Sequence, residues 1–395
     1  MDFTLSDEQR ELRRTVRSFL DRRSPEAEVR RLMADEGGHD AATWRLMAGQ
    51  LGLHGLALPE EYGGGGCGMV ELGVVLEEMG RALLCGPFFS TVVLAATTLL
   101  FVDDREAAED LLPGIASGET VATLALIEDS GSWDETGIAL TAERSAAGWL
   151  LSGRKNYVPD GHLADVILVA ARTGAGVSLF AVDGAAAGLT REPLRTLDLT
   201  RKQALLEYRS VPARLVGEEG TAWPALRKAL DVAAIALAAE QVGGAAAVLD
   251  MAVGHAKTRV QFGRPIGSFQ AIKHRCADMV VAIESARATA HYALWAAATG
   301  AADLPLVAAT AKAYCSQVFT RCAEANVQIH GGIGFTWEHP AHLYLKRAKS
   351  SEVFLGSPSR HREALARHAG FHPHAGQEHL PTPPTTNTPN IRSVP

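Results

Sequence analysis

The segment RVQFGRPIGSFQ, residues 259–270, separates two long stretches of chain that both carry the apolar spacing of buried helices. Before it, the chain has no Pro between Leu230 and Lys257. Apolar residues recur there at steps of three, four or seven, namely Val232, Ile235, Val242, Leu249 and Val253. Beyond it, a second periodic run passes through Ile272, Met279, Ile283 and Leu294. Because Gly263 and Pro265 favour a turn, the pattern predicts two long helices joined by this segment.

The middle of the first helix carries an acidic residue, Glu240, and a glycine pair, Gly243-Gly244. Each Gly lowers helix stability by roughly 1 kcal/mol relative to Ala, so the pair predicts a close contact with a neighbouring element rather than a break. A carboxylate among Ala, Ile, Leu and Val is costly to bury unpaired and binds a proton more readily. Glu240 is therefore a candidate general base. The alternative is a structural ion pair with a cation such as Arg287 or Lys257.

Composition and charge limit the functional classes. With 395 residues and a net charge of -7, the chain has room for two or three domains and is a poor candidate for binding nucleic acid. No N-terminal segment has the order of a signal peptide and no apolar run reaches the about 20 residues of a membrane span, so we expect a cytoplasmic protein without such a span. Five cysteines without C-x-x-C spacing predict reduced core residues and no metal site. Lys346, Arg347 and Lys349 form a basic step that we expect to face solvent.

Three regions differ in their sequence patterns. Residues 1–120 are predicted to be helical, with Ser6 and Gln9 spaced as a capping box. Residues 121–220 contain short apolar segments between Gly, Asp or Thr clusters, as in a small β-domain, and residues 221–368 return to helical patterns. Residues 369–395 are rich in Pro, Thr and His, which predicts a disordered tail. The predicted fold class is α+β. The predicted strands are Val121–Ile127, Trp149–Leu151, Asp165–Ala171, Ser178–Val182 and Ala204–Tyr208.

Segment 259–270, together with Gln328-Ile329-His330-Gly331-Gly332, resembles the acyl-CoA dehydrogenase family of flavoproteins. In that family, a segment reading R-x-x-F-G-x-P-I-x-x-F-Q joins two helices of the C-terminal domain. The resemblance spans nearly all of the chain up to residue 368. It implies an N-terminal helical domain, a middle β-barrel and a C-terminal four-helix bundle.

The resemblance also implies a function. FAD is the expected cofactor, an acyl-CoA thioester the expected substrate, and formation of an α,β double bond in fatty acid or steroid degradation the expected reaction. The family suggests a homotetramer, or a heterotetramer with a related subunit, and an electron-transfer flavoprotein as the electron acceptor.

Carried over residue by residue, the family's contacts to flavin adenine and pyrophosphate fall on Arg259, Phe262, Gln270, Gln328, Gly331 and Gly332. Arg259 suits a phosphate because its planar guanidinium donates two parallel hydrogen bonds. The two glycines let the backbone approach a ligand closely. The structural alternatives are a helix-capping role for Arg259 and a core position for Phe262.

The first departure from the family pattern concerns the catalytic base. Most members place it in an E-G-T step late in the bundle, and the matching step here is Leu355-Gly356-Ser357, whose leucine cannot accept a proton. Some relatives carry a glutamate on the long helix instead, and Glu240 lies about two turns from that position. Residues 356–362 resemble a motif of actinobacterial members that pair with unlike subunits.

The second departure concerns the flavin ring. Typical members contact the ring with a W-I-T-N segment, which here reads Tyr157-Val158-Pro159-Asp160. Tyr157 can stack on a ring, but Pro159 has no amide hydrogen to donate. Two hypotheses remain: a dehydrogenase whose base is Glu240, and a non-catalytic scaffold subunit that completes the site of an unlike partner.

Overall fold

Two helical regions flank a β-barrel in the computed structural model, which describes residues 5–146 and 148–371. The predicted α+β fold class is confirmed. Residues 372–395, which hold most of the predicted disordered tail, lie outside the described residues.

The N-terminal region begins with a helix capped by its own side chains. Ser6 Oγ accepts from the Gln9 amide (3.2 Å) and the Gln9 side chain accepts from the Ser6 amide (3.0 Å), which confirms the predicted capping box. A π-helical segment, Phe89–Ala95, leads into α5. The helices are α1 (Asp7–Arg23), α2 (Glu26–Ala34), α3 (Ala41–Gly49), α4 (Met69–Arg81), α5 (Ala96–Phe101) and α6 (Arg105–Ser117).

A closed barrel forms the middle region. Its strands are β1 (Ala122–Ala125), β2 (Thr141–Ser145), β3 (Gly148–Pro159), β4 (Val166–Thr173), β5 (Gly176–Asp183), β6 (Leu189–Pro193) and β7 (Gln203–Val216). The barrel closes in the order β2-β3-β7-β5-β4 and back to β2, while β1 pairs with β4 and β6 with β7. The sequence did not predict β2 and β6, because most of their side chains are exposed and they lack a run of apolar residues.

Long helices and a short hairpin form the C-terminal region. They are α7 (Ala222–Thr258), β8 (Val260–Gln261), β9 (Arg264–Pro265), α8 (Gln270–Thr299), α9 (Leu304–His330), α10 (Ala341–Val353) and α11 (Pro358–His368). The glycine pair of α7 lies where this helix crosses α4 and α9. A Cβ on Gly243 would overlap the Glu77 carbonyl of α4, and a Cβ on Gly244 would lie 2.5 Å from the Phe319 ring of α9. The predicted close contact is confirmed.

Helix α7 is the core element on which α4, α8 and α9 pack. Among the described residues it is long and apolar enough, by length and composition, to cross a membrane, yet 89% of its most apolar window is buried inside the protein. The expectation that no apolar run reaches such a length was wrong. Glu240 and Gln241 interrupt the run, but both are buried and the helix around them stays apolar.

One apolar core joins the three regions and fixes the barrel against the helices. At one junction the rings of Phe89 and Phe354 lie 5.6 Å apart, and Trp133 contacts Phe354 from the barrel side with its ring centroid 5.9 Å away.

The five cysteines are free. Cys85, Cys315 and Cys322 are buried as predicted and Cys276 is half-buried, but Cys67 is exposed in the glycine-rich turn before α4. The prediction of core positions was therefore wrong for Cys67.

Candidate active site and cofactor surface

The residues carried over as flavin contacts gather at one end of the bundle. Helices α7 and α9 end there side by side, since the rings of His255 and His330 stack with centroids 4.2 Å apart. Arg259 follows α7, and Gly331 follows α9. Helix α8 begins at the same end with Gln270. We call this region the bundle-end surface, defined by Arg259, Phe262, Gln270, Gln328, Gly331 and Gly332.

Phe262 projects from the β8–β9 hairpin and is 91% exposed, which excludes a core position. Its φ of +51° lies in the left-handed region, which is strained for a bulky residue. The ring contacts the edge of Phe269 with centroids 6.1 Å apart. A strained and exposed aromatic side chain of this kind is placed to contact whatever covers this end of the bundle.

Arg259 caps α7 with its backbone, since its N–H donates to the His255 carbonyl at 2.9 Å, and its side chain is exposed. Within residues 5–146 and 148–371, the side chains of Arg259, Gln270 and Gln328 have no hydrogen-bond or ion-pair partner. A Cβ on Gly331 or Gly332 would meet nothing within 4 Å. Free donors beside accessible backbone fit the phosphates and adenine of FAD.

A column of three histidines leads up to the Gly331 turn. His255 stacks on His330, and the ring centroids of His330 and His339 are also 4.2 Å apart. Burial and then the neighbouring His330 lower the pKa of both His255 and His339. At neutral pH these two histidines offer stacking surface and hydrogen bonds rather than charge.

The segments that face the flavin ring in the family fit it less well here. Tyr157 is 56% exposed, with a φ of +53°, and is free to stack. Pro159 has no N–H, and its carbonyl accepts from Thr123 Oγ1 at 2.6 Å. Leu355 is buried, with a φ of +60°, and its carbonyl accepts from His361 Nε2 at 2.9 Å. Pro159 therefore offers no amide hydrogen, and the Leu355 side chain offers no carboxylate.

A cleft of about 430 Å³ opens beside Leu355, between the barrel and the last helix. Its charged and titratable lining residues are Asp134, Arg227, Asp231, Arg360, His361, Arg367 and His368. Arg360 donates to Asp134 at 2.5 Å. Burial lowers the pKa of His361 to about 4 and raises that of Asp231. The cleft therefore holds three arginine side chains beside Leu355, of which Arg360 pairs with Asp134 and Arg227 lies 3.6 Å from Asp231.

Glu240 lies in a buried ion-pair network. Arg201 Nη2 donates to both of its carboxylate oxygens at 2.6 Å, and Arg347 Nη1 donates to Oε1 at 2.8 Å. Arg347 also donates from Nε to Asp198 at 2.8 Å and from Nη2 to Thr200 Oγ1 at 2.6 Å. We call these five residues the Glu240 network. Charge-assisted hydrogen bonds of this kind are shorter and stronger than those between neutral groups.

The cations that pair with Glu240 are not the ones the sequence suggested. Arg287 binds Glu77 at 3.1 Å and also Glu284, while Lys257 is exposed. The solvent-facing role expected for Arg347 was also wrong, since that residue is 3% exposed. A single basic residue on α10 gives no sequence signal for burial, because the pattern around it is that of an ordinary helix surface.

The sequence did not indicate a role for Arg201 or Asp198. They lie in the connection between β6 and β7, where no motif or periodicity marks them. The one available signal was indirect, because a carboxylate in the apolar middle of α7 requires a buried cation from some other part of the chain.

Fold and site together define the class of flavin-dependent enzymes that oxidise acyl thioesters. The N-terminal, middle and C-terminal domain models of acyl-CoA dehydrogenase match residues 6–119, 123–204 and 220–370. The chain belongs to the acyl-CoA dehydrogenase family. The family resemblance that the 259–270 segment indicated is confirmed.

Similar proteins include actinobacterial ones. The chain is 36% identical over 367 residues to the acyl-CoA dehydrogenase IpdE2 of Mycobacterium tuberculosis, covering 92% of this chain and 97% of that protein. It matches the steroid ACAD Tcur3481-Tcur3483, in a variant form, with a TM-score of 0.84, 35% identity and coverage of 93% and 99%. It also matches the ChsE4-ChsE5 complex from Mycobacterium tuberculosis with a TM-score of 0.85, 30% identity and coverage of 94% and 100%.

Proposed function

We propose that this chain is a subunit of a FAD-dependent acyl-CoA dehydrogenase that introduces an α,β double bond into an acyl-CoA thioester. Family membership supplies the reaction class and the cofactor. Two sites support the proposal. The side-chain donors at the bundle-end surface have no partner among the described residues and suit a dinucleotide. The cleft beside Leu355 is lined by arginines, which suit the phosphates of CoA.

Each site has a distinct task. Arg259, Gln270 and Gln328 would donate to the dinucleotide, while Gly331 and Gly332 let the backbone approach it. FAD bound there supplies an acceptor for the hydride that leaves the substrate Cβ. Arg227, Arg360 and Arg367 would hold the CoA phosphates at the cleft.

The base is a separate proposal. Removal of the α-proton requires a carboxylate, and Glu240 is our candidate from the sequence. Its Oε2 accepts from Arg201 alone, whereas Oε1 accepts from Arg201 and Arg347, so Oε2 is the atom that would take the proton. Both arginines donate to this carboxylate, so Glu240 must be released from them to act.

A second function is favoured by Leu355 and Pro159. Because neither offers the group that typical members use at the reacting centre, the chain could serve as a non-catalytic subunit that completes a partner's site through the bundle-end surface. The similar ChsE4-ChsE5 structure is a complex of two proteins, which supports this arrangement.

An assembly follows from both functions. Exposed apolar side chains flank the bundle-end surface, namely Val260, Phe262, Ile333, Phe335 and Trp337. Such a patch favours contact with another subunit, and we propose a homotetramer or a heterotetramer with a related chain. A cytoplasmic location and electron transfer to an electron-transfer flavoprotein stay predictions.

Flavin absorbance separates the two functions. The chain is purified alone and together with a related acyl-CoA dehydrogenase chain, and each sample is examined for the visible band of oxidised flavin and for bleaching by acyl-CoA. A yellow chain that bleaches alone supports the dehydrogenase. A colourless chain that becomes yellow and active only with the related subunit supports the site-completing role. A sample that never binds FAD contradicts both.

A further inference from the structure

Lys312, on α9, is 0% exposed, and its side chain ends among backbone carbonyl groups. Its Nζ lies 3.1 Å from the carbonyl oxygens of Ser351, Glu352 and Gly356 and 3.0 Å from Ser316 Oγ. An amine is costly to bury unless its N–H groups find acceptors, and these four acceptors meet that need. Three of the four belong to one short segment, residues 351–356, so Lys312 connects this segment to α9.

The segment 351–356 contains the end of α10 and the turn that follows it. The last carbonyls of a helix have no partner inside the helix, and Lys312 supplies the donor for two of them, those of Ser351 and Glu352. In the turn, the Leu355 carbonyl lies 2.9 Å from His361 Nε2 of α11. Side chains from two different helices, α9 and α11, therefore hold the backbone of this segment.

The turn after α10 has a backbone conformation that depends on such support. Leu355 has a φ of +60° and Gly356 a φ of +97°, and the left-handed value at Leu355 costs about 1–3 kcal/mol because this residue is not glycine. A Cβ on Gly356 would lie 3.1 Å from His361 Nε2 and 3.2 Å from Arg360 Nη1. Because the turn and these two side chains are packed this closely, a shift of Gly356 would displace both side chains.

The same turn forms part of the wall of the cleft beside Leu355. Leu355, Arg360 and His361 all line this cleft, whose volume is about 430 Å³. Lys312 contacts the turn at the Gly356 carbonyl but has no exposed surface of its own. Lys312 therefore does not contact a ligand in the cleft and acts on it through the position of the turn.

We propose that Lys312 is a positioning residue for CoA: by holding the Gly356 carbonyl, it fixes the turn and with it the guanidinium of Arg360, which would bind a CoA phosphate. The inference rests on the proposed function, because that function assigns the cleft to CoA. A site that is held in its binding geometry beforehand binds more tightly, since less conformational freedom is lost on binding. Loss of the Lys312 donor therefore weakens CoA binding without removing a group that contacts CoA.

The test measures binding of free CoA by calorimetry and binding of FAD by fluorescence, in whichever assembly binds FAD. Lys312→Met keeps a side chain of similar length and removes the donor. We expect it to weaken CoA binding by about tenfold, as for the loss of one hydrogen bond from a charged donor, and to leave FAD binding unchanged. A general loosening of the fold would weaken the binding of both ligands, and that outcome overturns the proposal.

A matched control removes the remaining contact of Lys312. Ser316→Ala deletes the one of the four acceptors that lies outside the 351–356 segment, and with it the hydroxyl that accepts from Gln241 Nε2 at 3.0 Å. This variant should lose stability in urea unfolding but bind CoA as the wild type does, which separates stability from positioning. CoA binding weakened as much as in Lys312→Met would attribute the effect to stability and overturn the proposal.

Gly356→Ala disturbs the same turn without changing Lys312, because the added Cβ would press on His361 and Arg360. We expect it to weaken CoA binding by a similar factor, and it decides the matter if Lys312→Met does not fold. Unchanged CoA affinity in either variant overturns the positioning role and leaves the CoA site intact. Arg360→Gln locates that site. If the wild type does not bind CoA, or if Arg360→Gln binds it equally well, the assignment of the cleft to CoA in the proposed function is overturned as well.

Discussion

Replacing Glu240 by Gln should destabilise the fold far more than a change of one charge usually does. Gln keeps the shape of the side chain but leaves Arg201 and Arg347 buried with only Asp198 as an anionic partner. Removing one partner of a buried ion pair typically costs about 3–5 kcal/mol, and we expect that loss in the free energy of unfolding. Urea unfolding, followed by far-UV circular dichroism, measures it.

A matched control uses the other kind of ion pair in this chain. Glu284→Gln removes a carboxylate that is 62% exposed and pairs with Arg287, so its expected effect is below about 1 kcal/mol. A double-mutant cycle of Glu240→Gln with Arg201→Met then isolates the coupling between the two groups. A Glu240→Gln protein as stable as the wild type would refute the buried network as described. Loss of turnover in a variant that remains folded would instead support Glu240 as the base.

Three further predictions concern stability and assembly. Gly243→Ala places a Cβ against the Glu77 carbonyl, so overpacking should destabilise the protein by roughly 1–3 kcal/mol. Gly254→Ala on the same helix adds a Cβ that meets nothing within 4 Å, so it should stabilise the protein by up to about 1 kcal/mol. Thermal unfolding that ranks the two variants in the opposite order contradicts the helix crossing. Burial lowers the pKa of His54 to about 4, so the unfolded state takes up the proton first as the pH falls. The contribution of the neutral His54 to the free energy of unfolding, roughly 3 kcal/mol, is therefore complete above about pH 6.5 and is lost toward about pH 4. In urea unfolding experiments, the free energy of unfolding of a His54→Asn variant should depend less on pH over that range. Phe262→Ser should leave the unfolding temperature of the isolated chain unchanged, since the ring is 91% exposed. It should weaken subunit assembly, which sedimentation experiments measure. Unaltered assembly would show that this side chain faces solvent in the assembly.

The elements that could be predicted from the sequence are those whose signal is local. Periodic apolar residues predicted α7, and the glycine pair correctly indicated a close helix crossing. The exposed strands β2 and β6 carry no such signal and were missed.

Within the site, the bundle-end residues came from a contiguous motif and the short Gly331 turn, which sequence comparison detects easily. The Glu240 network could not be predicted in the same way, because Arg201 and Arg347 come from separate parts of the chain and meet only after the barrel packs on the bundle. The need for a buried cation was foreseeable, but its identity depends on long-range packing.

Binding of FAD to the bundle-end surface is the most direct test of this account. Fluorescence titration of FAD, with the assembly that shows a flavin band, compares the wild type with Arg259→Gln and with Arg264→Gln. Arg264 lies on the same hairpin but is engaged over the Phe269 ring at 4.2 Å, so it serves as the control. We predict that Arg259→Gln weakens FAD binding by about tenfold or more, the effect of losing a charged hydrogen bond, and that Arg264→Gln changes it little. Equal affinity of all three proteins for FAD would contradict the account.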